Sequence, residues 1–163
     1  MEKKIVVFFL QNEEFAFDIM KVVEIIRHKN ITKVPTAPLF IEGVINLRGK
    51  IIPVIDLRKR FKLPETEREK ANRIIIVELR KKQLVGVIVD RVSHVLSVKE
   101  EEIMPAPSAI TSVGGKYIES VVQRDERIIV FLNIEMIFSN EEQDEINNIA
   151  EQEGGEFEES SYS

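Results

Sequence analysis

Asp90, Ser93 and His94 are the residues of this chain whose types could do covalent chemistry. That chemistry would be hydrolysis, with a hydroxyl nucleophile, an imidazole base and a carboxylate to orient it. Their surroundings do not complete the set. Val89-Asp90-Arg91-Val92-Ser93-His94-Val95 has no elbow glycine and nothing that suggests an oxyanion hole. His28 and His94 are the only histidines, and both read as surface or half-buried strand residues rather than ligands. The absence of cysteine removes disulfides, thiolate metal sites and cysteine nucleophiles. No glycine-rich phosphate loop and no metal-ligand spacing occurs, so no cofactor or metal is expected. Asp18 and Asp90 read as turn caps accepting from backbone N–H groups, and Glu100-Glu101-Glu102 as a solvated turn. A small β-barrel hydrolase using Asp90 and His94 is the catalytic alternative to a binding protein. A turnover screen against ester, phosphate and nucleotide substrates separates the two.

The other residue placed for chemistry is Arg48, and its chemistry is recognition. It stands in Leu47-Arg48-Gly49-Lys50 between two short branched apolar runs, which predicts a β-hairpin whose glycine supplies a positive φ at the tip. A guanidinium on a stiff hairpin, beside Asn46 and Leu47, suits a carboxylate or carbonyl fork on a partner. Pro35 and Pro38 hold the approach extended. Pro53 has no N–H to donate and is expected at a sheet edge or bulge.

The hairpin has a second copy. Shifted by 77 residues without a gap, Phe40–Phe61 lies on Tyr117–Phe138, and Ile41, Glu42, Val44, Ile51, Ile52 and Phe61 meet Ile118, Glu119, Val121, Ile128, Ile129 and Phe138. Upstream, Phe17-Asp18 matches Val89-Asp90, and Pro35-Thr36-Ala37-Pro38 matches Pro105-Ala106-Pro107. Two similar units built on one plan are therefore expected. At the tip the copies differ, Asn46-Leu47-Arg48-Gly49 against Gln123-Arg124-Asp125-Glu126.

The 163 residues suffice for one domain or two small lobes sharing an interface. Nine of the 28 acidic residues lie from Glu141 onward and none of the 23 basic ones, so the net charge of −5 hides a mildly basic body with an acidic tail. That is not a nucleic-acid footprint, and most of the phenylalanines sit in apolar runs rather than on a basic groove. Arg58-Lys59-Arg60 reads as a solvated strand exit. No run reaches membrane-spanning length and the amino terminus is not signal-like, so a cytoplasmic location is expected.

In chain order, Ile5–Leu10 predicts a buried strand, Phe15–Ile19 its return, and residues 19–21 a helical turn leading into a strand through Ile26. Residues 62–72 read as a mobile polar connection. Arg73–Leu79 and Leu84–Val89 open the second unit, Val92–Val98 forms another turn-plus-strand segment, and Gly114-Gly115 marks a turn. Ser139 and Glu142 have the form of a capping box, opening a short helix through about Ile149 with Ile146 and Ile149 resting on the body. The remainder is expected to be disordered. Val22, Glu24, Ile26, Val34 and the Arg48 tip fall on segments that meet near one side of the first unit and form a candidate partner surface.

Phe17–Ile26, Val34–Arg58, Gly86–Leu96 and Ile103–Pro107 together resemble the CheW family of chemotaxis coupling proteins. The Gly-Val-x-Asn-Leu-Arg-Gly-x-x-x-Pro-Val-x-Asp-Leu core from Gly43 to Leu57 is the most specific part, and the match covers about residues 5–142. The resemblance implies two five-stranded SH3-like β-barrels sharing a hydrophobic interface, the subdomains being roughly 12–70 and 71–138 with strand 5–10 crossing between them. It implies a non-catalytic adaptor linking methyl-accepting chemoreceptors to the histidine kinase CheA, with no nucleic acid and no membrane insertion of its own. Carried over by position, the receptor-facing surface would include Val22, Glu24, Gly43, Asn46, Leu47 and Arg48, with Gly43 and Gly49 structural. Met104, Pro105 and Ala109 are the candidates for the kinase contact. The acidic tail, residues 143–163, has no counterpart in the resemblance.

Overall fold

An uninterrupted apolar run such as Ile5–Leu10 must have both faces covered, which a strand achieves only in the middle of a sheet between two layers. In this computed structural model, which describes residues 2–106 and 117–161, that is where it lies. β1 (Glu2–Leu10) has β2 (Glu13–Asp18) on one side and β8 (Arg91–Lys99) on the other. Ile5 and Val7 face one apolar cluster and Phe8 and Leu10 another. The remaining strands are β3 (Val22–Arg27), β4 (Ile41–Leu47), β5 (Lys50–Asp56), β6 (Arg73–Glu78), β7 (Leu84–Val89), β9 (Ile103–Met104), β10 (Ile118–Arg124) and β11 (Arg127–Leu132). Short helices α1 (Leu57–Arg60) and α2 (Ile134–Ile137) follow the two hairpins, and α3 (Asn140–Ser161) ends the described chain.

Two sheets form, in the orders β8-β1-β2-β11-β10-β9 and β3-β6-β7-β5-β4. Each curls over its own apolar cluster, Ile5, Val7, Val122, Ile129 and Phe131 in one and Ile45, Ile52, Val54, Ile74 and Ile76 in the other. A third cluster, including Phe8, Phe17, Ile55, Val77, Val87 and Leu132, lies between the sheets. The expected pair of five-stranded barrels is corrected in two respects. The Ile103–Met104 segment adds a sixth strand to one sheet by pairing with Val121 and Val122. Among the described residues, no backbone ladder closes either sheet on itself; side chains span the gaps. Arg48 reaches Glu24 and Lys29 reaches the Asn46 carbonyl in one sheet, and Arg124 reaches Glu102 and the Ser97 carbonyl in the other.

The sequence repeat and the sheets divide the chain differently. The opening hairpin β1–β2 pairs with β8 and β11, while the hairpin that opens the second copy, β6–β7, pairs with β3 and β5. The copies thus exchange their first two strands. The antiparallel β1–β8 pairing answers β6–β3, and the parallel β11–β2 pairing answers β5–β7. The 77-residue shift holds to the residue: β4 with β10, α1 with α2, a register shift after Ile41 and after Ile118, and turn caps by Asp56 and Asn133.

Several sequence expectations change because of contacts between segments distant in sequence. Pro53 is not at an edge, since β5 lies between β4 and β7. It is tolerated because it faces Val44, whose N–H and C=O bond to Thr32 at 2.8 and 2.9 Å, and pairing with β7 begins only at Val54. Arg58 and Arg60 are half-buried, and the exposed Lys59 is paired. Arg58 bonds Asp90 and the Pro64 carbonyl, Lys59 pairs with Glu42, and Arg60 bonds Glu142 and the Ile137 carbonyl. Residues 62–72 are anchored by Arg68 on Asp56 and by buried Asn72 on the Asp90 carbonyl. Asp18 caps the 3-10 turn Ile19–Lys21, but Asp90 accepts from Gln11 N–H and Arg58, clamping distant segments together.

The capping box forms as expected, Glu142 N–H donating to Ser139 Oγ at 3.1 Å and Ser139 N–H to Glu142 Oε1 at 2.9 Å. Ile146 and Ile149 are buried. The helix then continues to Ser161, past the expected end and through Gly154-Gly155. Its Glu- and Gln-rich sequence has high helix propensity, which outweighs the ~1 kcal/mol that each interior glycine costs. Because the buried anchors precede residue 152, truncation after Gln152 should leave the thermal midpoint nearly unchanged. Loss of cooperative unfolding in a calorimetric scan of that truncation would contradict this.

Candidate partner-binding surface

The tip of the β4–β5 hairpin is a two-residue turn closed by the Leu47–Lys50 pair, with Arg48 at φ 51° and Gly49 at φ 85°. Positive φ at both positions matches the twist of the strands. The Asn46 side chain accepts from Gly49 N–H at 2.9 Å, so the tip is fixed from within. Arg48 is 71% exposed and forks onto Glu24, with Nη1–Oε2 at 3.1 Å and Nη2–Oε1 at 2.5 Å. The Arg48 hydrogen bonds hold the Glu24 carboxyl below the usual carboxylate range, and Glu24 raises Arg48 in turn. What reaches solvent is a paired, pre-aimed guanidinium on rigid backbone.

In the second copy Asp125 takes the same place with φ 55° and His94 stands where Glu24 does, so the turn does not require a cation. Gly43 is required by close approach. A Cβ there would sit 2.3 Å from the Thr32 carbonyl oxygen, which accepts the Val44 N–H. Gly43→Ala should therefore push the Thr32 strand off β4 and cost about 1–3 kcal/mol, the usual price of overpacking. Chemical denaturation checks this, and an unchanged midpoint would mean that the Thr32 segment yields freely.

The sequence-derived residues divide into tip and support. Glu24, Asn46 and Arg48 meet at the tip. Leu47 and Ile26 are half-buried against the cluster under the five-stranded sheet, and Val22 against the cluster between the sheets. The residues that β3 turns outward are Val23 and Ile25, 52% and 38% exposed, on a free sheet edge. Period-2 alternation from Glu24 would have found them, but β3 is apolar on both faces and the pattern alone does not say which face is outward. Met104 and Pro105 lie on the other sheet, exposed at the end of its edge strand β9. Ala109 and the Gly114-Gly115 turn lie outside the described residues.

The hydrolytic residues do not converge. Ser93 Oγ and His94 Nδ1 are 2.6 Å apart on an exposed strand, while the Asp90 carboxylate is committed to Arg58 and Gln11.

With this geometry in place, comparison with known proteins is informative. A CheW-like domain model matches residues 4–142. The chain is 35% identical over 150 residues to the chemotaxis protein CheW of Treponema pallidum, covering 90% of this chain and 88% of that protein. It is 37% identical over 148 residues to the CheW protein of Klebsiella aerogenes, covering 91% and 89%. The crystal structure of the scaffolding protein TtCheW from Thermoanaerobacter tengcongensis superposes with a TM-score of 0.78 at 44% identity, over 85% of this chain and 94% of that one.

Proposed function

The chain belongs to the CheW-like family, and from that premise we propose that it is a non-catalytic adaptor coupling methyl-accepting chemoreceptors to the histidine kinase CheA. The observation that supports the receptor half of this reading best is the Arg48–Glu24 fork. A guanidinium held by one carboxylate, with most of its surface in solvent, is ready to exchange or share that partner with an acid or carbonyl on a helical receptor tip. Val22, Ile26, Leu47 and Gly43 support that tip, and Val23 and Ile25 add an apolar flank. The kinase contact is assigned to the Met104–Pro105 edge, together with Ala109. Separation of these two places on the molecule lets both partners bind at once.

Among the described residues no helix is long and apolar enough to cross a membrane. The proposed location is the cytoplasm, at membrane-associated receptor arrays. Pull-down of the chain with a receptor tip fragment and with the regulatory domain of the kinase tests both arms. Retention of neither fragment, or turnover in the ester, phosphate and nucleotide screen, would overturn the reading.

A further inference from the structure

The approximate two-fold relation between the copies exposes an asymmetry. On β5, the outward face is Ile51, Pro53 and Ile55, and α3 lies against it with Ile146 and Ile149 buried. The equivalent face of β11, by the 77-residue shift, is Ile128, Val130 and Leu132. Among the described residues no helix follows there. The chain leaving α1 contributes Leu63 and then departs toward β6. What remains is an apolar groove of about 750 Å³ whose walls include Phe15, Phe61, Tyr117, Val130 and Leu132. Burial records the difference position by position. Pro53 is buried and Val130 half-buried, Val85 is buried and its counterpart Phe15 half-buried, and Ile51 is half-buried while Ile128 is 58% exposed.

We propose that this groove docks an amphipathic helix of a partner protein in the way that β5 docks α3. The occupant's chemistry follows from the occupied copy: two branched apolar residues one turn apart, preceded one turn earlier by an acid. In the occupied copy these are Ile146, Ile149 and Glu142, and Glu142 pairs with Arg60. In the open copy the exposed cation at the rim is Lys62, beside Phe61 and Leu63. From Ile128 to Leu132 the strand face spans about 13 Å, the length of roughly nine helical residues, or two and a half turns. The groove lies on β2, β10 and β11, away from the Arg48 tip, so this inference does not rest on the receptor reading.

The test uses the full chain, isotope-labelled, and a stapled helical peptide of residues Asn140–Gln152 as the probe. Saturable binding is expected, with shifts at Phe15, Leu63, Tyr117 and Val130. Ile128→Glu should weaken binding at least tenfold, and Lys62→Glu should weaken it severalfold, both leaving the thermal midpoint unchanged because the two side chains are exposed. A probe with Ile146→Ala and Ile149→Ala should not bind. The proposal is overturned if no saturation is reached by about 1 mM, or if neither charge substitution matters. It is likewise overturned if shifts appear at Ile51 and Leu79, meaning that the probe displaces α3, or if sedimentation shows a concentration-dependent dimer that Ile128→Glu abolishes, which would make a second copy the occupant.

Discussion

Arg48→Asp is expected to leave the thermal midpoint nearly unchanged while weakening binding of a receptor tip by about thirtyfold or more, the loss typical of breaking a paired interface charge. Stability is spared for two reasons visible in the molecule. Asp125 holds the same positive-φ place in the second copy, so an aspartate fits the turn. The Arg48–Glu24 pair stands in solvent, where ion pairs contribute little and salt screens them. The rival account is that Arg48 serves as a strap, because with Lys29 it spans the unpaired gap between β3 and β4. A charge swap separates the two. Glu24→Arg with Arg48→Glu rebuilds the pair in reverse, so stability should be kept and receptor binding should remain lost. If the single variant unfolds early while its folded fraction binds normally, and the swap restores stability with binding intact, Arg48 is a strap and the site assignment fails.

Ile129→Ala should be the most damaging single truncation to the fold among those considered, at about 2–5 kcal/mol. Ile129 is fully buried in the cluster under the six-stranded sheet with Ile5, Val7, Ala16 and Val122. It pairs with Val122 on one side and Glu14 on the other, joining β10, β11 and β2. The neighbours are strands held by ladders on both sides, so they cannot collapse into the void. Equilibrium denaturation measures the cost directly. A loss under about 0.5 kcal/mol would contradict this packing.

Much of the architecture was legible in the residues because local chemistry decided it. The two hairpins, their shared 77-residue offset and the turn at Ile19–Lys21 follow from branched apolar runs and turn residues. So does the Ser139–Glu142 capping box. What was not legible depended on contacts distant in sequence. Arg58 and Arg60 look like surface charge until Asp90 and Glu142 arrive from 32 and 82 residues away. Pro53 looks like an edge residue until Thr32 takes the hydrogen bonds of Val44. The length of α3 was underestimated because a glycine pair reads as a stop while the glutamates around it favour continuation. At the hairpin tip Glu24, Asn46 and Arg48 come together, whereas the outward turn of Val23 and Ile25 awaited knowledge of which face of β3 packs on the apolar clusters.

The exchanged opening hairpins have a mechanical consequence. Each curled sheet is completed by strands that begin in the other copy, so residues 62–72 cannot act as a hinge between independent lobes. Separating the two copies would require stripping whole ladders, β1 from β8 and β6 from β3. The joint that remains between the Arg48 tip on one sheet and the Met104 edge on the other is side-chain packing, the apolar cluster that includes Phe8, Phe17, Val77 and Leu132.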